Sequence, residues 1–149
     1  MSLVFFDMDD TLLAGDAEAA WAKYMAENGL MKDEGFKEKI RKFDEDYRRG
    51  ELDFSVYTEF LLAPIKGMTV EEVEDIVKPF CVTIVEEFKD STSKGLLEKH
   101  TMDECLITSG TLSFIVKEVA SLLGIKTFFG TDPEVQEGCY TGKVSGKPN

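Results

Sequence analysis

The chain opens on a short apolar run, Leu3-Val4-Phe5-Phe6, that breaks abruptly into Asp7-Met8-Asp9-Asp10-Thr11. A continuous apolar stretch of this kind, rich in Val and Phe and closed by a polar break, predicts a buried parallel strand running into a loop. The apolar positions then switch to helical spacing. Ala17, Ala20, Trp21, Tyr24 and Met25 share one face up to Asn28, and Gly29 sits where a left-handed C-terminal cap belongs. Phe36, Ile40, Phe43 and Tyr47 form a stripe on a highly charged segment from Gly35 to Arg49, with Gly50 after it. The dense apolar stretch from Phe54 to Leu62 stops at Ala63-Pro64. Thr69-Val70-Glu71-Glu72 is a capping box, with a hydroxyl and a carboxylate spaced to satisfy orphan amides. The helix it starts runs through Val73, Ile76 and Val77, and Pro79 is expected to kink or divide it.

After about residue 90 the pattern reverts to strand–loop–helix. Ser93 to His100 reads as a short helix and Cys105 to Thr108 as a second buried strand. Ser109-Gly110-Thr111 reads as a turn, and Phe114 to Leu123 as a helix capped by Gly124. Ile125 to Phe129 is a third strand, and Glu137-Gly138 a hairpin turn returning through Cys139-Tyr140-Thr141. The helical block between the two ends is longer than any ordinary connection. The expectation is an α/β domain, residues 1–14 and 90–149, with an all-helical insertion over residues 15–89 after its first strand.

Composition narrows the function. Lys and Arg number 17 against 29 Asp and Glu, a formal net charge of -12. Such a surface offers no basic field to nucleic acid or to an anionic membrane, so neither is expected as a partner. The three cysteines, Cys81, Cys105 and Cys139, are scattered and odd in number, which argues against a disulfide framework or a zinc site and fits a reducing cytoplasm. His100 is the single histidine and cannot build a His-based metal site alone. No apolar run is long enough to span a bilayer, and the start carries no basic, apolar and cleavage pattern of a secretory leader.

Asp7 and Asp9 lie two positions apart at the C-terminal end of the first strand, the edge of an open α/β sheet where ligands bind. Carboxylates this close repel, and at neutral pH they call for a cation or a shared proton. Mg²⁺ takes oxygen donors and commonly joins one or two carboxylates to a substrate phosphate. Such a pair suits in-line attack on phosphorus by one carboxylate and proton transfer by the other. Ser109 and Gly110 follow the second strand in the same way, where a hydroxyl and backbone amides suit a phosphate at the start of a helix.

Phe6-Asp7-Met8-Asp9-Asp10-Thr11-Leu12-Leu13 resembles the first signature of the haloacid dehalogenase superfamily, and Leu106-Ile107-Thr108-Ser109-Gly110 resembles its second. The segment from Ser113 to Lys143 is similar to the phosphoserine-phosphatase-like branch, subfamily IB. The resemblance implies a Rossmann-like parallel-sheet core with a helical cap, and a Mg²⁺-dependent phosphomonoesterase acting on a small phosphorylated metabolite through an aspartyl-phosphate. It implies Asp7 as nucleophile and Asp9 as acid/base. The Asp7 carboxylate and the Asp9 carbonyl would be metal ligands, with Asp10, Ser109 and Gly110 binding phosphate and Thr11 holding the loop. A phosphotransferase or phosphomutase of the same fold, and a catalytically incomplete binding domain, are the alternative functions.

Other residues carry two readings. Asp16 and Glu18 read first as favourable first-turn charges of a helix, and the resemblance adds selection of a substrate amine. Arg48 and Arg49 read as a solvated helix end rather than a carboxylate clamp. Trp21, Tyr24, Phe36, Phe43 and Phe60 read as cap core, and His100 as a surface residue. Two further signatures of the superfamily, one carrying a lysine and one carrying metal-binding acids, have no match before Asn149; neither Lys143 nor Lys147 takes the lysine's role. The expectation is therefore a partial chain, poorly active alone, whose first strand forms an exposed sheet edge capable of self-association.

Overall fold

The computed structural model describes residues 3–9, 13, 15–31, 34–88 and 104–146. Strand β1 (Leu3–Asp7) pairs in parallel with β2 (Glu104–Leu112), in register from Leu3↔Glu104 to Asp7↔Thr108. Strand β3 (Thr127–Thr131) pairs in parallel with the other side of β2, giving the order β1-β2-β3. Parallel pairing needs long crossovers. The first contains the whole helical block and the second is helix α5 (Ser113–Leu123). Among the described residues β1 pairs only with β2, and its Phe5 is 64% exposed. An antiparallel hairpin, β4 (Pro133–Gln136) and β5 (Cys139–Val144), turns at Glu137 and Gly138, both at positive φ. That turn, the α/β class and the three parallel strands agree with the sequence reading.

Two elements differ from it. Ser109-Gly110-Thr111 is not a turn: β2 continues to Leu112, and its register against β3 shifts between Thr108 and Leu112. A bulge of this kind keeps the strand going while re-aiming its side chains. Pro79 does not divide its helix, since α4 runs from Val70 to Phe88. The missing N–H costs one bond, and the buried face of Val73, Val77, Phe80, Cys81, Ile84 and Val85 outweighs it. The expected helix from Ser93 to His100 lies outside the described residues.

The helical block is fixed by its caps. Asp16 accepts from the Glu18 and Ala19 amides and starts α1 (Ala17–Glu27). Asp53 does the same for α3 (Phe54–Leu62) through Ser55 and Val56. At α4 the capping box closes both ways: Glu72 N–H donates to Thr69 Oγ1 at 3.1 Å and Thr69 N–H to Glu72 Oε1 at 3.2 Å. Helix α2 (Phe36–Arg48) buries Phe36 alone and leans on α3 through stacking of Phe36 on Phe60.

The core is continuous from the helical block to the sheet. Trp21 of α1 is fully buried, with its ring centroid 5.1 Å from Phe80 of α4 and 5.7 Å from Phe114 of α5. The hairpin straps onto the loop before α4, with Gly67 N–H donating to Tyr140 O at 2.8 Å and Tyr140 N–H to Met68 O at 2.9 Å. No helix among the described residues is long and apolar enough to cross a membrane.

Gly130 shows how tightly β3 meets the end of β2. A Cβ there would stand 2.9 Å from both Ser113 Cα and the Thr111 carbonyl oxygen. Backbone cannot yield as a flexible side chain does, so Gly130→Ala is expected to cost about 1–3 kcal/mol. Urea unfolding would register this as a lower midpoint at unchanged slope; an unchanged midpoint would contradict the close packing.

Candidate active site

Strand alternation places Asp7 and Asp9 toward one cavity, with the fully buried Met8 anchored between them. The loop then folds back, with Leu13 N–H donating to Met8 O at 3.0 Å. The Asp9 carboxylate is held from two sides. Its Oδ1 accepts from Ala17 N–H, the first residue of α1, at 3.0 Å. Its Oδ2 accepts from the Thr111 hydroxyl, at the end of β2, at 2.6 Å. Burial raises the pKa of Asp9, and the charges of Asp16 and Asp7 add to this, while the bonds from Thr111 and Ala17 oppose it. A carboxyl whose pKa is raised is better suited than an unperturbed one to give and take a proton.

The cavity measures about 560 Å³, within the range of small-molecule sites. Asp7, Asp9, Ser109, Gly110 and Thr111 line its sheet side. Helix α1 contributes Asp16, Glu18, Ala19 and Ala22. Lys37, Ile40, Arg41, Phe43, Asp44 and Tyr47 of α2, with Leu52, Phe54 and Tyr57, complete the wall. Ser109 is buried, and its Oγ accepts from Thr111 N–H at 3.1 Å.

Glu18 is the outstanding charge. Among the described residues its Oε2 is buried with no hydrogen-bond partner. Burial first, then Asp16 and Asp9, push its pKa up to about 8. Tyr57, half-buried on α3, has its hydroxyl pKa raised by burial and then by Glu18, Asp16, Asp44 and Asp9. Arg41 is engaged by Glu38 and Glu45 at 2.8 and 3.1 Å.

The structure therefore brings together Asp7, Asp9, Ser109 and Gly110, as the sequence suggested. Asp10 and Thr11 lie outside the described residues, as does His100. Arg48 pairs with Asp44 at 3.2 Å, and neither it nor Arg49 lines the cavity. Glu18 is an acid of the first turn of α1, as the plainer reading has it, and its side chain also lines the cavity. Thr111, Tyr57, Lys37 and Arg41 were not singled out. The spacing of Lys37, Ile40, Arg41, Asp44 and Tyr47 marks one helical face, but its charge reads as solvent-facing.

The donor set fits a hard cation in part. The Asp7 carboxylate is exposed to the cavity, whereas both Asp9 side-chain oxygens accept protein hydrogen bonds. Among the described residues no group of three or more His, Cys, Asp or Glu converges on one point. An ion that keeps several waters, as Mg²⁺ does, matches oxygen donors this few.

Residues 4–149 match the haloacid dehalogenase-like hydrolase family. The chain is 32% identical to the histidinol-phosphatase of Neisseria meningitidis serogroup C (strain 8013), an alignment covering 99% of this chain and 68% of that protein. It is 28% identical to a phosphoserine phosphatase of Archaeoglobus fulgidus, over 97% of this chain but only 38% of that protein. In three dimensions it is similar to a protein with unknown function from Bordetella pertussis Tohama I, with a TM-score of 0.85, 28% identity, and coverage of 98% of this chain and 67% of that one.

Glu18 makes stability depend on pH in a definite direction. Its folded pKa, about 8, lies above the ordinary 4.5, so between these values the folded chain keeps a proton that the unfolded chain has released. Its contribution is intact below the lower value and is lost as pH rises through the window. Glu18→Gln, neutral throughout, should melt like the wild type near about pH 5 and several degrees higher near about pH 9, at about 2–4 °C per kcal/mol. Equal differences at both pH values would place the Glu18 carboxyl in water.

Proposed function

The chain belongs to the haloacid dehalogenase-like hydrolase family, on its phosphatase side, and from that footing we propose that it hydrolyses phosphomonoesters of small metabolites through an aspartyl-phosphate on Asp7. One observation carries this reading: an exposed Asp7 and a doubly held Asp9 line one cavity with Ser109 and Gly110. Residues 15–89 act in it as the cap that walls the site.

The chemistry balances in two displacements. An Asp7 carboxylate oxygen attacks phosphorus in line, the bond from phosphorus to the ester oxygen breaks, and Asp9 gives its proton to the departing alkoxide. Asp9, now a carboxylate, takes a proton from water as that water attacks phosphorus. The Asp7–phosphorus bond breaks, and inorganic phosphate leaves. Ser109 Oγ–H and the Gly110 and Asp10 amides bind the non-bridging oxygens. The Asp7 carboxylate and the Asp9 main-chain carbonyl would hold Mg²⁺, whose charge offsets that of the phosphoryl group beside the carboxylates.

The leaving group is one that carries a protonated nitrogen. Among the described residues Glu18 presents a buried Oε2 without a partner, and a buried polar atom in that state is costly unless a ligand satisfies it. The relatives' names, histidinol-phosphatase and phosphoserine phosphatase, both denote phosphates of amine-bearing alcohols. The exposed Tyr47 and Phe54 at the lip add aromatic surface for the rest of such a molecule.

In the full-length protein, Asp7→Asn should lower phosphate release from p-nitrophenyl phosphate by about 10³-fold or more. Asp9→Asn should lower phosphate release from an alkyl phosphate by about 10²–10⁴-fold. Chelation should stop the reaction and added Mg²⁺ should restore it. Near wild-type turnover by Asp7→Asn would rule out the covalent route.

A further inference from the structure

We propose that Thr111 is a positioning residue for the acid/base step, holding the Asp9 carboxylate through its hydroxyl; this rests on the reading of Asp9 as proton carrier. The contact joins residues 102 positions apart in the chain, at 2.6 Å, and Thr111 is 2% exposed. An O–H bond to a carboxylate this short is charge-assisted and among the stronger bonds a side chain makes. Its polarity is fixed, because an ionised carboxylate only accepts.

The backbone around Thr111 holds the hydroxyl where it is. The register shift of β2 between Thr108 and Leu112 brings Thr111 into the cavity lining with Ser109 and Gly110. Thr111 N–H donates to Ser109 Oγ at 3.1 Å, and Thr131 Oγ1 donates to the Gly110 carbonyl at 2.9 Å. Three consecutive residues are thus tied to one another and to β3. Asp9 is then fixed on one oxygen by this core segment and on the other by the first amide of α1. With both oxygens held, the carboxylate does not swing, and each keeps a second lone pair for the proton it carries. Neither motif signature of the sequence assigns Thr111 a role.

A buried threonine that merely satisfies itself on Asp9 would support the fold and leave catalysis alone. The two roles separate by leaving group. An alkyl phosphate needs a proton delivered to its ester oxygen, whereas p-nitrophenolate leaves with little help. In the full-length protein, Thr111→Val should lower kcat/KM for the alkyl phosphate it turns over fastest by about 10–100-fold, and for p-nitrophenyl phosphate by less than about threefold. KM should stay within about twofold, and Thr111→Ser should recover activity to within about threefold of the wild type. In an Asp9→Asn background Thr111→Val should add nothing, as expected for two residues acting on one step. Circular dichroism melts verify folding, and Thr111→Ala replaces Thr111→Val if the latter fails to fold. Equal losses with both substrates, full activity in Thr111→Val, or a Thr111→Ser variant as poor as Thr111→Val would each overturn the proposal. If Asp9→Asn is inactive while Thr111→Val is unimpaired, the positioning role alone fails. If Asp9→Asn keeps full activity, the acid/base assignment fails and the positioning role with it.

Discussion

Strands β1 and β2 run parallel with Asp7 opposite Thr108 at the end of their shared register, and this register sets the chemistry of the cavity. A parallel pair delivers both chain ends to the same edge of the sheet, so the polar residues following each strand face one another. Carboxylates placed there lose part of their water. Partial burial is tolerable for Asp9 because an O–H and an N–H replace the lost hydration. A slip of one residue would turn Met8 outward and the carboxylates into the core, so the apolar run and the acidic loop enforce one register together.

The cavity that results is acidic, in a chain with a net charge of -12. A phosphate dianion gains nothing from such a field, so the reaction proposed above needs local donors and a cation at the sheet edge. A cationic group on the proposed substrate would gain from it. Asp16 spends its side chain on the α1 cap, and Asp9 accepts two bonds. Glu18 therefore remains as the carboxyl with an unmet acceptor. Holding it costs stability above its ordinary titration range, a cost characteristic of groups retained for a task rather than for the fold.

Much of the scaffold was legible because its signals are local. The apolar run before Asp7, the capping box at Thr69, and Gly124 at φ 75 each announce an element through backbone chemistry confined to a few residues. What escaped depends on tertiary contact. Ser109-Gly110-Thr111 has turn composition, yet pairing with β3 draws it into an irregular strand end. Pro79 carries a helix-breaking signal, yet the buried face of α4 overrides it. The cavity face of α2 is charged, and no local rule separates a face toward solvent from a face toward a wet cavity. The direction Glu18 points was hidden for a related reason, since an acid in a first helical turn is favourable wherever it points.

Stability is spread unevenly around this cavity. Helices α1 and α4 are locked to the sheet side through Trp21, Phe80 and Phe114, and the loop before α4 is strapped to the β4–β5 hairpin. Helix α2 buries one side chain and rests on α3 through Phe36, Phe43, Tyr57 and Phe60. Segments with few buried apolar groups have the smallest local unfolding free energies. The sheet side of the cavity is thus the more firmly packed among the described residues, and the aromatic and basic residues of α2 sit on the less constrained wall. For the reaction proposed above, that division suits reacting atoms that must be held to fractions of an ångström while the wall facing the leaving group adapts to its shape.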